Sequence, residues 1–412
     1  MLNILMVFHA PPFPPDLGPS RRHYHELVEL LERGHRVSVL SYGSGDDERR
    51  FRARFGARCA SVRFVPLHAS PLSKAVSRCW NLARLQSDFG RLRTRRLQRA
   101  LDAMVAADRF DVISFSTTML GGLRLPAGIP LLGDTHNIEF DTLRRAFEQT
   151  PRGLLREYFR IQAALTRREE TAFARRFDVV CVTSQRDRRQ LGAAVPEAQI
   201  EVVPNGVDLT EHRRDPSAVR EPGCILFTGL MSYYPNVHGV RFFVEEILPR
   251  VAARVPRARL LVVGADPPPG LRALASERVV LTGFVPDVRP YLERAEVFVV
   301  PLRIGGGTRV KALQAMAMDV PIVSTTLGCE GLDLESGRHA LMADDAESFA
   351  AAVVRLLESP ALGTALARQA AEHVLRFEWS RVGDRLDQAF SRAARASRGR
   401  PAATLAYVSD PH

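Results

Sequence analysis

Residues 303–311, Arg303-Ile-Gly-Gly-Gly-Thr-Arg-Val-Lys311, gather three glycines, a hydroxyl and three cations in one short stretch, a set of types suited to holding a phosphate. Gly305, Gly306 and Gly307 let the backbone approach a ligand closely. Thr308 is placed to cap a helix whose first amides stay unpaired, and Arg309 and Lys311 put two charges beside that helix start. Of the 57 Lys plus Arg only Lys74 and Lys311 are lysine, so a compact point charge stands where the chain otherwise uses arginine. A glycine turn with a solvated basic helix face is the alternative that loop chemistry alone leaves open. A second candidate is His136, in Asp134-Thr-His-Asn137 after a short apolar strand. An imidazole beside a carboxylate and an amide can exchange hydrogen bonds with a ligand, although a satisfied loop histidine has the same composition.

Elements that alternate strand and helix must position these residues. Apolar runs predict strands over 3–8, 36–41, 61–65, 112–115, 130–133, 179–183 and 200–203, and a second series over 224–228, 260–263, 279–282, 297–300 and 321–324. A helix is expected over 21–33, ended by Gly34 as a left-handed cap. The fold class is α/β, with one doubly wound parallel sheet in residues 1–205 and another in 223–378. Residues 206–222 are polar and aperiodic and read as a linker, 379–396 as a helix returning to the first domain, and 398–412 as a loose tail. In such sheets ligands sit beyond the carboxyl ends of the strands, so two facing domains put the site in the cleft between them.

Composition fits an enzyme of this kind: 412 residues, 46% hydrophobic and 25% charged. No long uncharged apolar run predicts a membrane span, and the first residues enter a strand without a basic leader, so a cytoplasmic location is expected. Cys59, Cys79, Cys181, Cys224 and Cys329 lack C-x-x-C spacing and are expected to be reduced and mostly buried.

Together these segments resemble glycosyltransferase family 4, retaining enzymes with the GT-B fold, over nearly the whole chain. Pro14-Pro-Asp-Leu-Gly-Pro-Ser20 is similar to that family's opening loop, Asp134 to Glu139 to its Asp-x-His-Asn segment, and Pro204 to Asp208 to its Pro-Asn-Gly-Val-Asp turn. The second half matches in Phe227 to Asn236, Val263-Gly-Ala265, Leu281 to Asp287, Gly305 to Met316 and Pro321 to Gly331. The resemblance implies a nucleotide diphosphate sugar as donor, with its base near Gly283, Phe284 and Val285. Its diphosphate falls at Gly306, Gly307, Thr308 and Arg309, with Lys311 as a further cation. It places the donor sugar against His136, whose backbone carbonyl faces charge developing at the anomeric carbon, and offers the amides of Gly18 and Ser20 to phosphate. No metal and no cofactor are expected, since basic side chains serve the leaving group.

The chain departs from the family at several positions. Pro19 removes one amide from a turn where paired glycines are usual. Many relatives carry a cationic pair near the segment that here reads Ser232 to His238, and this chain offers Tyr233, Asn236 and His238 instead. Two glutamates that relatives place eight residues apart are Gly306 and Gln314; the second grips ribose hydroxyls, and an amide does so without a carboxylate's charge. Asp319 stands where relatives commonly have glycine, and the sequence supplies no physical reason.

The formal net charge of +11 is uneven, with fourteen Arg or Lys and one acid, Asp88, in residues 49–99. Trp80, Leu82, Leu85, Phe89 and Leu92 interleave with that charge, which suits either an anionic membrane surface presenting a lipid-linked acceptor or a plain solvated face. No nucleic-acid recognition motif accompanies it. The expected activity is therefore transfer of a sugar to a saccharide or lipid-linked acceptor hydroxyl in cell-surface polysaccharide or glycoconjugate synthesis. A peripheral position on the inner face of the plasma membrane is compatible with it. A non-catalytic partner subunit of the same fold would explain Gln314, and a sugar-nucleotide epimerase would use the same sites with an acid such as Glu330.

Overall fold

The computed structural model describes residues 1–15, 18–66, 87 and 95–396. Trp80, Leu82, Leu85, Phe89 and Leu92 of the expected membrane face, together with Cys79 and the tail 398–412, lie outside the described residues. Two compact units make up the chain, residues 1–204 with the helix Trp379–Ala396, and residues Asn205–Glu378.

In the first unit a parallel sheet has the order β3-β2-β1-β4-β5-β6-β7. Its strands are β1 (Asn3–Phe8), β2 (Arg36–Tyr42), β3 (Ser61–Val65), β4 (Val112–Ser116), β5 (Leu131–Asp134), β6 (Val179–Val182) and β7 (Ile200–Val202). β1 pairs with β2 from Asn3↔Arg36 and with β4 from Ile4↔Val112, so the sheet winds outward in both directions from β1 and β4. The unbroken apolar run of β1 follows from burial on both faces. Leu5 and Val7 enter one core with Phe115 and Phe173, whereas Ile4, Met6 and Phe8 enter another with Leu27 and Leu30. The helix Gly18–Glu32 crosses from β1 to β2 and ends as expected at Gly34, whose φ is +76°. The amides of Gly34 and His35 then reach back to the carbonyls of Leu31 and Leu30.

The last helix closes this second core. Trp379, Val382, Leu386 and Phe390 are buried in it, and the Trp379 ring stacks on His25 with centroids 4.7 Å apart. Arg33 with Asp384 (2.7 Å) and His35 with Asp387 (2.7 Å) tie the helix at its exposed side. Cys59, Cys181, Cys224 and Cys329 are free thiols and buried.

The second unit holds a parallel sheet in the order β10-β9-β8-β11-β12-β13. Its strands are β8 (Cys224–Thr228), β9 (Arg259–Val263), β10 (Val279–Gly283), β11 (Val297–Val300), β12 (Ile322–Ser324) and β13 (Leu341–Met342). β13 is two residues long, too short to leave an apolar run that sequence patterning would register. Residues 206–222, expected as a linker, pack on this unit. The Val207 amide bonds the Phe377 carbonyl (2.8 Å), Glu221 pairs with Arg294 (2.8 Å) and His212 is buried. Asp319 sits at φ +54° after the helix Val310–Ala317, which supplies the missing reason for the relatives' glycine: the position is left-handed, and aspartate is among the residues that tolerate it.

The part played by the last helix predicts that Phe390→Ala costs the first unit about 3–5 kcal/mol. Calorimetry should show an unfolding transition that moves down in temperature while a second transition, belonging to residues 205–378, stays in place.

Candidate active site

Each sheet has a switch point where the winding reverses, between β1 and β4 in the first unit and between β8 and β11 in the second. Ligands favour the carboxyl ends of strands at such points. The glycine loop follows β11 at one of these points, whereas His136 follows β5 and Gly283 ends β10, one and two strands away, and the two units' residues are held differently.

In the second unit the glycine loop follows β11 and leads into the helix Val310–Ala317. Thr308 does not cap this helix: Arg309 occupies the cap position, no side chain caps the first turn, and the Thr308 carbonyl instead accepts from Asn205 Nδ2 (3.2 Å). The reason lies in the loop. Gly305 and Gly307 both have positive φ, which turns the chain so that the helix starts one residue later. Arg309 is buried and donates to the Gly306 carbonyl, so it braces the loop from within.

Lys311 lies on the first turn of the same helix. Its Nζ donates to Asn236 Oδ1 (2.8 Å) and stands 3.9 Å from the centre of the Phe227 ring. Asn236 Nδ2 donates in turn to the Leu230 carbonyl (2.8 Å), which fixes the amide so that its oxygen meets the ammonium. Gly229, at φ +154°, has a backbone conformation that favours glycine, and a Cβ there would come within 2.7 Å of Nζ and 2.8 Å of Asn236 Nδ2. Among the described residues no carboxylate pairs with Lys311. Burial, and then the Arg309 charge, hold its pKa well below the usual lysine value. Asn236 and Phe227 were not assigned this role from the sequence, although the Tyr-Tyr-Pro-Asn236 segment occupies the place of the relatives' cationic pair.

The other expected donor contacts lie at the end of the edge strand β10 and within the helix Val310–Ala317. Gly283 closes β10 at φ +72°, followed by Phe284, which is 68% exposed and so has a ring face free for stacking, and by half-buried Val285. Gln314 is buried with its amide 3.0 Å from His212 Nε2. The His212 Nδ1–H donates to the Asp208 carbonyl (3.2 Å), so Nε2 accepts and Gln314 is the donor. No signal in the sequence pointed to His212. Glu330 follows the short turn Leu327–Cys329.

In the first unit Gly18 opens the helix Gly18–Glu32, and Ser20 is buried in its first turn. His136 Nε2 lies 3.0 Å from Asp134 Oδ2. Asp134 is buried and takes a fork from Arg22, Nη2 to Oδ1 at 2.8 Å and Nε to Oδ2 at 3.1 Å. Arg22 also contacts Glu26 (2.8 Å) and donates to the carbonyls of Val203 (3.1 Å) and Pro204 (3.2 Å). Burial pushes Asp134 up, but Arg22 and then His136 outweigh it and hold the carboxyl far below its usual range. Burial pushes Glu26 up to about 8 against the pull of Arg22. The carbonyl of His136 accepts from Thr183 Oγ1 (3.3 Å).

Two further histidines stand beside His136. His9 follows β1 directly and lies with its ring centroid 6.0 Å from that of His136. His23 lies 5.0 Å from His9 and 5.1 Å from His136. Neither was selected from the sequence, where His9 was only a loop residue and His23 a helix residue. Thr117, next to this cluster, is held at φ +73° with its amide on the Asp134 carbonyl (2.6 Å). A β-branched residue in that region is strained and marks a site.

Part of the described basic stretch is locally paired with acids. Arg50 pairs with Asp47 (2.8 Å) and Arg52 with Glu48 (2.7 Å) on the helix Gly45–Phe55. The acids precede residue 49, where the charge run was taken to begin.

Comparison with known proteins gives two family matches: glycosyltransferase family 4 over residues 18–211, and glycosyl transferases group 1 over residues 222–359. A phosphatidyl-myo-inositol mannosyltransferase of Mycolicibacterium smegmatis is 26% identical over 380 residues, covering 89% of this chain and 88% of the relative. Among solved structures, sucrose-phosphate synthase from Thermosynechococcus elongatus superposes with a TM-score of 0.71 at 18% identity, covering 96% of this chain and 100% of that one. HepE of Anabaena in complex with UDP and glucose gives 0.68 at 14% identity, with 95% and 100% covered.

Removing one partner from the Arg22–Asp134 pair leaves a buried guanidinium without that counter-charge, so Asp134→Asn should destabilise the first unit by roughly 3–5 kcal/mol. The sign with pH follows from the depressed carboxyl. Its contribution is complete above the unfolded aspartate value near ~3.9 and fades as pH falls below it. Denaturant melts of both proteins should therefore differ most near neutrality and converge in acid.

Proposed function

The chain belongs to glycosyltransferase family 4 and is a glycosyltransferase of GT-B fold; from that premise we propose that it transfers a hexose, with retention of anomeric configuration, from a nucleoside diphosphate sugar to an acceptor hydroxyl. The observation that carries this is Lys311, a half-buried ammonium at a helix start beside a glycine loop, with amide and aromatic partners and no carboxylate among the described residues. Such a group favours an anion, and a diphosphate offers several oxygens to it together with the loop amides. A lysine that the bound diphosphate draws into its charged form makes a metal unnecessary in this reading.

The transfer breaks the bond from the anomeric carbon to the diphosphate oxygen and forms one to the acceptor oxygen on the same face. The acceptor proton passes to the departing diphosphate oxygen, so no protein nucleophile is required. In this scheme Lys311 stabilises the charge that grows on the leaving group, Gly306, Gly307 and Thr308 supply backbone contacts, and Arg309 keeps the loop in shape. Phe284 offers a stacking face to the base, and Gln314 presents its amide to the ribose diol with its orientation set by His212. His136 meets the sugar. The acceptor is a saccharide or a lipid-linked polyol, in keeping with the mannosyltransferase relative that acts on a phosphatidyl-inositol by its name. A location at the cytoplasmic face of a membrane would bring such an acceptor within reach.

A thermal-shift panel with UDP, GDP and dTDP and their sugar conjugates tests the donor site. One nucleotide should raise the melting temperature without added metal, and Lys311→Ala should lose most of that shift while Lys311→Met leaves the ligand-free protein as stable as before or more so. Since an anion raises the depressed lysine pKa, binding above the free-state value should take up a proton. Calorimetric titration in buffers of different ionisation enthalpy reads that uptake, and its loss in Lys311→Met assigns it. Absence of a shift with every nucleotide would leave the partner-subunit reading in its place.

A further inference from the structure

Between β5 and β6 the chain forms a hairpin of two helices, Glu139–Gln149 and Leu154–Ala174. At its base the Glu170 carboxylate accepts the amides of Glu139 (3.0 Å) and Phe140 (2.9 Å), and Phe173 enters the core with Phe115. Arg167 lies over the Phe140 ring (6.0 Å) and Arg156 over the Phe147 ring (4.6 Å), so the two helices run in opposite directions along their length. At 1.5 Å per residue Leu154 stands about 24 Å along its helix from Glu170. The turn 150–153 and the first turns of the longer helix are therefore a tip, remote from the core that anchors the base.

The tip presents large apolar side chains to water. Leu154 is 92% exposed and Leu155 51%, and Tyr158 and Ile161 are exposed as well. At 3.6 residues per turn Leu154, Tyr158 and Ile161 form one stripe with Leu155 beside it, while Phe159, Gln162 and Thr166 are buried on the adjoining face. Side chains left this exposed contribute little to the fold.

Charge decides what such a surface suits. In residues 150–168 Arg152, Arg156, Arg160, Arg167 and Arg168 stand against one acid, Glu157. Glu157 pairs with Arg160 (2.7 Å), and among the described residues no carboxylate pairs with the other four. Glu148 on the shorter helix is taken up by Arg144. Leucines bracketed by arginines match a bilayer of anionic lipid: hydrocarbon takes the leucines, headgroup phosphates take the guanidiniums, and a tyrosine suits the depth between them. A second copy docked on the same face would set these arginines against themselves.

We propose that the tip of this hairpin docks the first unit on an anionic lipid surface, with Leu154 and Leu155 inserted and Arg152 and Arg160 at headgroup level. Such docking would bring the lipid-linked acceptor proposed above to the protein. It is measured without donor or turnover, so its failure leaves the donor-site reading standing.

Sedimentation of the full chain with vesicles of equimolar phosphatidylglycerol and phosphatidylcholine tests the docking. The wild type should bind these vesicles in preference to pure phosphatidylcholine. Leu154→Ser with Leu155→Ser should keep the wild-type melting temperature, because both side chains are exposed, and lose about tenfold or more in vesicle affinity. Arg152→Gln with Arg160→Gln should weaken binding severalfold, and by less at high salt. Wild-type binding by the leucine variant would place the contact elsewhere in the chain and overturn the proposal, as would equal affinity for both kinds of vesicle or no binding to either. If the leucine substitutions abolish self-association in sedimentation velocity while vesicles are ignored, the face belongs to a second copy and the lipid docking is wrong.

Discussion

A cation that is partly buried without a counter-charge raises the free energy of the folded protein, and a bound anion lowers it again. Lys311 is held in that condition by three separate features. Phe227 offers a ring face that attracts the ammonium but cannot neutralise it, and Asn236 accepts only one of its hydrogens. Gly229 removes the side chain that would otherwise fill the space beside Nζ. Each feature by itself is common. Their agreement on one nitrogen holds it away from any counter-charge among the described residues, while Arg309 is turned inward to its own backbone.

The first unit handles charge in the opposite way. Glu26, Arg22 and Asp134 form a buried group in which two carboxyls face one guanidinium. Burial pushes Glu26 up towards its neutral form, which favours a self-balanced Arg22–Asp134 pair. His136 reaches the edge of this group and receives half of a carboxylate already in use. Orientation, more than charge, is what Asp134 supplies to it: Nε2 is tied down and the ring cannot turn freely. Arg22 thereby acts at a distance on His136, and its links to the Val203 and Pro204 carbonyls fasten the same network to the end of the first unit's chain.

The strands were legible in the sequence because parallel strands covered on both faces must be continuous apolar runs, and β1, β8 and β11 begin and end where those runs do. β13 was not, having only Leu341 and Met342 to show. The glycine loop, Lys311 and His136 were legible from residue type and from the family's motifs. Their partners were not, since Phe227 and Asn236 precede Lys311 by 84 and 75 positions, and Arg22 is 112 positions before Asp134. Long-range pairing leaves no local pattern. Thr308 illustrates a different failure: its type is right for a cap, but positive φ at two neighbouring glycines moves the helix start past it. The polar stretch 206–222 misled for a third reason, because its burial depends on specific partners such as Glu221 with Arg294, and polarity reads as exposure until those partners are known.

What joins these observations is the place at which each strand stops. His9 follows Phe8, Ser116 ends β4, Asp134 ends β5, and Thr183 follows β6; in the other unit Gly229, Gly264 and Gly283 stand at the ends of β8, β9 and β10. A sheet fixes its strand ends to within a fraction of a side chain, so residues there can be held accurately without bonds to one another. The two units use that accuracy differently. Glycine at the strand ends of the second unit leaves room for close approach of backbone and of one long lysine. Imidazole, hydroxyl and carboxyl groups at the strand ends of the first unit hold fixed directions through their hydrogen bonds. The strain accepted at Thr117, whose amide closes onto the Asp134 carbonyl at 2.6 Å, is intelligible on the same terms: it fixes the end of β4 against the end of β5, where direction matters most.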